Sequence, residues 1–309
     1  MSEKNFMSYG DSETVFSGFA GEIKEKEPKI FKGTSAEWDA LTAAEQAKYN
    51  VKMITDDETG ATVDAVIDGD MRAVTSNAVY KATGRQLPLI DLGTSYTAEL
   101  KADISSGKFE KAVVGGYLTI NGHVYYFAHP DYWLNTGDAE CTTHHMVVVP
   151  AGNIGTGKMN DTNITTGGYV GSDFKTGNND NAALATAKAQ IVADFGAANI
   201  LTHRELFTKT VTDGKASDWG WYDSDVDLMN EVMVYGCNAW ASAPGYETGI
   251  DKCQLKLFQE RPDLITTRAD WRMRSVVSVA GFTCVSDRGG VSAYGASDAF
   301  GIRPVFAIM

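Results

Sequence analysis

Residues 118–127 constrain this chain more than any other stretch. Leu118-Thr119-Ile120 and His123-Val124-Tyr125-Tyr126-Phe127 are β-forming runs placed about an Asn121-Gly122 pair. A type I′ turn needs left-handed backbone at both central residues, and Asn-Gly tolerates it. The stretch therefore predicts an antiparallel hairpin. Met146-Val147-Val148-Val149-Pro150 reads as a buried strand ended by proline, and residues 151–180 as a long loop rich in Gly, Asn and Thr. Two helical stripes follow. In the first, Asp180 or Asn181 caps, Leu184, Ile191, Val192 and Phe195 line one face, and Gly196 stops the helix. In the second, Val226, Met229, Val232 and Met233 line a face and Gly236 ends it. Strands return at residues 282–285 and 302–308, with a turn at Gly289-Gly290 between them. Strands, two helices, a long loop and closing strands predict an α+β domain over residues 91–309. Its first strands and its last strand are expected to close one sheet.

Ahead of this domain the chain divides into three smaller parts. Residues 1–27 form an N-terminal attachment segment in which Phe16, Phe19 and Ile23 fit a short amphipathic helix. Residues 28–57 form a small α/β module. Thr34-Ser35-Ala36-Glu37 and Thr42-Ala43-Ala44-Glu45 each match a capping box, so two short helices start there. Trp38, Leu41 and Tyr49 supply their apolar side, and Val51-Lys52-Met53-Ile54 reads as a strand. Residues 58–90 read as a helical neck, with Val63, Val66, Ile67, Met71 and Val74 near one stripe that Gly69 interrupts. A second short helix is expected from Ser76, with Ala78, Val79 and Ala82 inside. A stripe this narrow needs a partner: copies of itself, as in a trimeric neck, or the next domain of the same chain.

Charge and composition narrow the function. The net charge of −13 over 309 residues argues against nucleic-acid binding, which calls for a basic face. No apolar run reaches the length of a membrane-spanning helix, and the N-terminus has no apolar segment of the secretory kind. Cys141, Cys237, Cys253 and Cys284 are scattered without a CxxC pair, so free buried thiols are expected rather than a zinc or redox site. His144 and His145 are adjacent and, on a strand, point to opposite faces, which suits structural histidines better than a shared metal. Asp223, Asp225 and Asp227 alternate but lack the glycine and closing glutamate of an EF-hand, so an N-terminal helix cap is expected. Asp161 and Asp173 could meet a cation, but no metal or cofactor is assigned. No Gly-x-Ser-x-Gly stands between a strand and a helix, and no catalytic residue is assigned. Paired carboxylates for glycoside cleavage are a matter of three-dimensional separation.

Several phrases resemble known families. IFKGTSAEWDALTAAEQAKYNVKMITDDE (30–58) and MRAVTSNAVYKA (71–82) resemble modules that recur in phage tail-fibre proteins. HHMVVVP (144–150), KMNDTNITTGGYVGSDFKT (158–176), FGAANILTHRELF (195–207), LMNEVMVYG (228–236), GYETGIDKCQLKLF (245–258) and the ending WRMRSVVS…GIRPVFAI resemble the C-type-lectin-like domain related to formylglycine-generating enzymes. That resemblance covers residues 95–309 and implies two helices with a twisted antiparallel sheet. Some members are variable proteins of diversity-generating retroelements, in which the last strands and loops carry substituted positions between fixed residues. Adenine-directed change of an asparagine codon cannot produce Lys, Glu, Gln, Met or Trp, and residues 276–300 contain none of these. The related enzymes use a cysteine pair, for which Cys253 and Cys284 qualify here by residue type only.

The resemblance implies a phage tail-fibre receptor-binding protein, acting from the virion. Its partners would be a host cell-surface protein or glycan, its own copies in a homotrimer, and tail or baseplate proteins at the N-terminus, without nucleic acid or membrane insertion. A bacterial surface adhesin of the same fold and a glycan-degrading or oxidase enzyme are the alternatives. Trp271, Arg274, Arg303 and Pro304 are expected as framework, with the arginines in buried ion pairs. Asp270, Arg272, Val279, Phe282, Asp287, Arg288, Val291, Tyr294, Asp298 and Phe300 are the expected contact set. Arg272 stands where the family pattern carries an aromatic residue, which suits a diversified position. Phe282, on a predicted strand, is the member best suited to the core.

Overall fold

The computed structural model describes residues 30–33, 35–48, 51–54, 62–66, 87–178, 181–242 and 253–309. The chain divides into two compact units, Met1–Arg85 and Gln86–Met309.

In the first unit, β1 (Ile30–Gly33) runs parallel to β2 (Val51–Ile54), and β3 (Thr62–Val66) pairs antiparallel with β2. Parallel neighbours need a crossover. Two short helices lie within it, α1 (Ser35–Asp39) and α2 (Ala43–Gln46). The expected capping box is present at Thr42. The Glu45 amide donates to its hydroxyl at 3.3 Å, and the Thr42 amide donates to the Glu45 carboxylate at 2.9 Å. Trp38 is buried. One expectation is corrected: Val63 and Val66, assigned to a helical neck, lie on β3. A Val/Ala-rich run fits a strand as readily as a helix, and here β2 offers it an edge. The N-terminal helix at 16–23, Thr34, Tyr49 and the neck beyond Val66 lie outside the described residues.

The second unit is a mixed α+β fold with several sheets, none closed into a barrel. Its strands are β4 (Ile90–Asp91), β5 (Gly116–Ile120), β6 (His123–Pro130), β7 (Met146–Pro150), β8 (Thr156–Gly157), β9 (His203–Thr212), β10 (Lys215–Ser224), β11 (Val226–Leu228), β12 (Trp271–Ser278), β13 (Gly281–Val285), β14 (Val291–Gly295), β15 (Phe300–Gly301) and β16 (Pro304–Ile308). Its helices are α3 (Ala98–Ser105), α4 (Asp173–Thr176), α5 (Ala183–Phe195), α6 (Glu231–Tyr235) and α7 (Lys256–Glu260). A six-stranded sheet runs β11-β16-β7-β6-β5-β4, a five-stranded sheet β14-β13-β12-β15-β8, and β9 and β10 form a separate ribbon. The first strands and the last do share a sheet, but β16 sits inside it, between β11 and β7.

The β5–β6 hairpin turns where the sequence says, with φ of 51° at Asn121 and 82° at Gly122. Asp194, at the end of α5, latches it by accepting from Asn121 and from the Tyr125 hydroxyl, and lies 2.8 Å from His123 Nδ1. Strands β7 and β16 are buried along their whole length, and their side chains alternate between two cores. Met146, Val148, Phe306 and Ile308 join Leu100, Ile104, Ile191 and Phe195 of α3 and α5. Val147, Val149, Val305 and Ala307 join Met233 of α6, Phe258 of α7, and Trp271 and Met273 of β12. Burial on both faces explains why these strands read as unbroken apolar runs.

The second predicted helix is much shorter than its stripe. Val226–Leu228 is a strand paired with Phe306, Val305 and Pro304, and only Glu231–Tyr235 is helical. Asn230 caps it, accepting from the Met233 amide at 2.8 Å, and Gly236 ends it at φ 80°. The apolar spacing fits either state, and the open edge of β16 settles the matter for 226–228. Asn181 accepts weakly from the Ala183 amide, at 3.4 Å, and α5 has no side-chain N-cap bond. Helix α3 and the β9–β10 ribbon were not foreseen. Both carry local signals: Thr97 caps α3, and Asp213-Gly214 turns the ribbon at φ 51° and 76°.

Candidate functional site

The frame of the closing strands is a set of buried cations. Arg274 donates to the Glu205 carboxylate at 2.5 Å and to the Leu228 carbonyl at 2.9 Å, with both side chains almost wholly buried. This is the buried ion pair expected of it. Arg303 is different. It donates to the carbonyls of Pro150 (2.8 Å), Leu264 (2.8 Å) and Ile265 (3.1 Å), and its guanidinium lies 5.4 Å from both the Phe258 and Trp271 rings. Burial pushes it down to about 10. Carbonyl dipoles and aromatic faces replace the expected carboxylate. Trp271 is fully buried and donates from Nε1 to Ile265 O at 3.1 Å.

Arg272 overturns its expected role. It is fully buried, so it is no surface contact. Its register on β12 sets it opposite Cys284. The side chain reaches under the end of β14, where Nη2 donates to Gly295 O at 2.5 Å and Asp298 O at 2.7 Å, and Nη1 to Tyr294 O at 3.4 Å. The guanidinium stacks 4.6 Å from the Phe300 ring centroid, and that ring lies 4.7 Å from Tyr294. Burial pushes Arg272 down to about 10. It is a strut beneath the loop that was expected to contact ligand. Phe282 is likewise fully buried and belongs to the core.

The remaining candidates fall into two groups at opposite ends of the β13–β14 ladder. At one end, Asp287 and Arg288 are exposed in the turn that joins the strands, with Asp270 and Val291 half-buried beside it. Asp270 accepts from the Asp287 amide at 2.7 Å, so it anchors the turn. At the other end, Val279 is exposed in the β12–β13 turn, with exposed Tyr294 and Asp298, while half-buried Phe300 begins β15 next to Gly301, whose amide donates to Asp270 O at 2.9 Å, and turns its ring toward Tyr294. Strand rise places the ends about 14 Å apart. The fold therefore spreads the exposed members over both ends of the ladder, with Phe300 between them.

Near Tyr294 lies a residue outside the expected contact set. Ile164 is 55% exposed, in a loop that the Thr165 hydroxyl ties to Ser278 O at 2.7 Å and Asn163 ties to Ser297 at 2.9 Å. A lone isoleucine in a Gly/Asn/Thr-rich loop was the available signal.

No family model, curated protein or solved structure matches this chain.

The groups considered for chemistry have other duties. The Trp133 amide donates to His145 Nε2 at 3.1 Å, so Nδ1 carries the proton and donates to Thr143 O at 2.8 Å. Burial pushes His145 down to about 4. His144 Nδ1 lies 2.8 Å from Asp131. The three alternating aspartates cap no helix: Asp223 pairs with Arg204 at 3.0 Å, Asp225 with Lys188, and buried Asp227 with Lys175 at 2.5 Å. Asp173 accepts from the Asp161 amide at 3.0 Å. Among the described residues no group of three or more His, Cys, Asp or Glu could hold a metal. None of the four cysteines forms a disulfide among the described residues; Cys141 and Cys284 are buried, whereas Cys237 and Cys253 are exposed. The expectation of buried thiols holds for half of them. A cavity of about 290 Å³ lined by Glu140, Cys141, Thr202, His203, Arg204 and Asp223 takes in none of the contact set.

Proposed function

We propose that this chain is a receptor-binding protein of the phage tail-fibre kind, with a lectin-like second unit that binds a host cell-surface protein or glycan. The observation that carries this reading is the division of roles along β12–β14. Trp271, Arg272, Arg274 and Phe282 are buried, while Val279, Asp287, Arg288, Tyr294 and Asp298 stand exposed on the turns and edge that they support. Recognition concentrates on loops held by a rigid scaffold. Tyrosine and arginine are enriched among the residues that carry interface energy, tyrosine at low entropic cost. The resemblance of the closing stretch to variable proteins points the same way. Three chains joined in a homotrimer would raise avidity without new contacts, and the N-terminal residues would attach to tail or baseplate proteins.

The test is binding of the labelled full chain to a panel of bacterial strains. Saturable binding to a subset is expected, weakened by Tyr294→Ala or Arg288→Ala at unchanged melting temperature. Binding to no strain, or turnover of surface glycan by the protein, would overturn the reading. Light scattering should report a trimer. At the nucleotide level, a near-copy of the 3′ end that differs only at adenines, beside a reverse-transcriptase gene, is the expected signature of diversification.

A further inference from the structure

The patch around Tyr294 holds a cavity of about 210 Å³, bordered by Ser278, Ala280, Gly281, Ala293, Tyr294 and Gly295. An apolar cavity of about 150 Å³ is enough for a benzene ring, so this one has room for a phenylalanine or leucine side chain. Gly281 and Gly295 form a direct cross-strand pair, and small side chains flank it. The described residues include four exposed large hydrophobics, and three of them, Ile164, Val279 and Tyr294, lie on the segments around this cavity. Val279 packs against Gly214 of the β9–β10 turn, and the Ile164 loop is tied to Ser278 and Ser297. Contiguous exposed apolar surface with a polar rim marks an interaction site.

The rim carries a sign. Asp161, Asp213 and Asp298 lie on the three bordering segments; none forms a salt bridge among the described residues, although Asp298 is within electrostatic reach of the buried Arg272 guanidinium. Lys215 is the basic residue beside Asp213. The rim adds to a chain whose net charge is −13. Sugar hydroxyls need several side-chain hydrogen-bond partners, and of the lining residues only Ser278 and Tyr294 carry one. An unpaired hydroxyl is penalised on burial. We infer that the Tyr294 end of the ligand face is a socket for one apolar or aromatic side chain, presented by a protein partner whose flanking residues are basic. This rests on the receptor-binding reading and names the partner class for that site.

A random-sequence peptide library selected on the immobilised full chain tests it, with the selected peptides then measured by calorimetry. Enrichment of an aromatic or leucine anchor flanked by Lys or Arg is expected. Affinity should fall about tenfold or more when the anchor becomes Ala, when Ala293→Phe fills the socket, and when salt is raised through the range that screens exposed charges. Asp213→Asn with Asp298→Asn should weaken binding and flatten the salt dependence without filling the cavity. This keeps the test valid if Ala293→Phe misfolds. The inference is overturned if no peptides are enriched, if acidic or anchorless peptides are, or if both sets of substitutions leave affinity unchanged. A glycan array run in parallel separates the two levels. Glycan binding that survives Ala293→Phe would sink the socket and leave the receptor-binding reading standing, whereas silence in the library, the array and the cell panel would sink both.

Discussion

Replacing Arg272 by methionine separates a strut from a contact residue. Nη2 makes two short charge-assisted bonds, at 2.5 and 2.7 Å, and Nη1 a long one at 3.4 Å. Bonds from a charged donor contribute about 1.5–3 kcal/mol each, so the two short ones together contribute roughly 3–6 kcal/mol. Burying a guanidinium with no carboxylate on it offsets several kcal/mol of that sum. Asp298 is exposed, so its carbonyl can find water once the arginine is gone. The net cost is then about 2–3 kcal/mol. In a unit spanning Gln86–Met309 this lowers the melting temperature by about 4–12 °C. Hydrogen exchange should quicken first across residues 294–300, because that loop loses its anchor. A variant with unchanged melting temperature and exchange, but altered affinity for a ligand or cell, would show that Arg272 is a contact residue after all.

Glu205→Gln should cost about 3–5 kcal/mol in denaturant unfolding, because it leaves the buried Arg274 charge without its carboxylate. A loss below about 1 kcal/mol would mean that the pair is open to solvent. Burial pushes His129 and His145 both down to about 4, so between that value and about 6.5 the unfolded chain binds more protons than the folded one. Stability should therefore fall as pH drops through this window, with a slope approaching about 1.4 kcal/mol per pH unit for each histidine. A flat profile would mean that both rings protonate freely in the fold. Burial also raises Cys141 and pushes Cys284 up to about 12, while Cys237 and Cys253 are exposed. A disulfide exchange reagent at neutral pH should titrate two thiols quickly and the other two only on unfolding.

Local chemistry was legible in the chain itself. Asn121-Gly122, Thr42-x-x-Glu45, Gly196 and Gly236 do in the structure what their residue types demand, because a turn or a helix end depends on a few neighbouring dihedrals. The doubly buried strands β7 and β16 announced themselves as apolar runs. So did the core roles of Trp271 and Phe282. The signals at Thr97 and Asp213-Gly214 are equally local, a helix cap and a turn set by their own residues.

Tertiary structure decided the rest. Val226–Leu228 and Thr62–Val66 are strands because an open strand edge was within reach, and no helical period within the segment can reveal a distant edge. Arg272 occupies a position that looks free to vary, yet it is buried because three carbonyls from residues 294–298 converge on it. Among the described residues Arg303 pairs with no carboxylate, for the same kind of reason: two aromatic faces and three carbonyls arrive from elsewhere in the chain. The contact residues were drawn from one stretch, and the five-residue length of β13 is what sets Val279 and Asp287 at opposite ends of a ladder. Sequence alone determined which residues turn, cap and avoid water. Which of them face a partner depended on neighbours that only folding brings together.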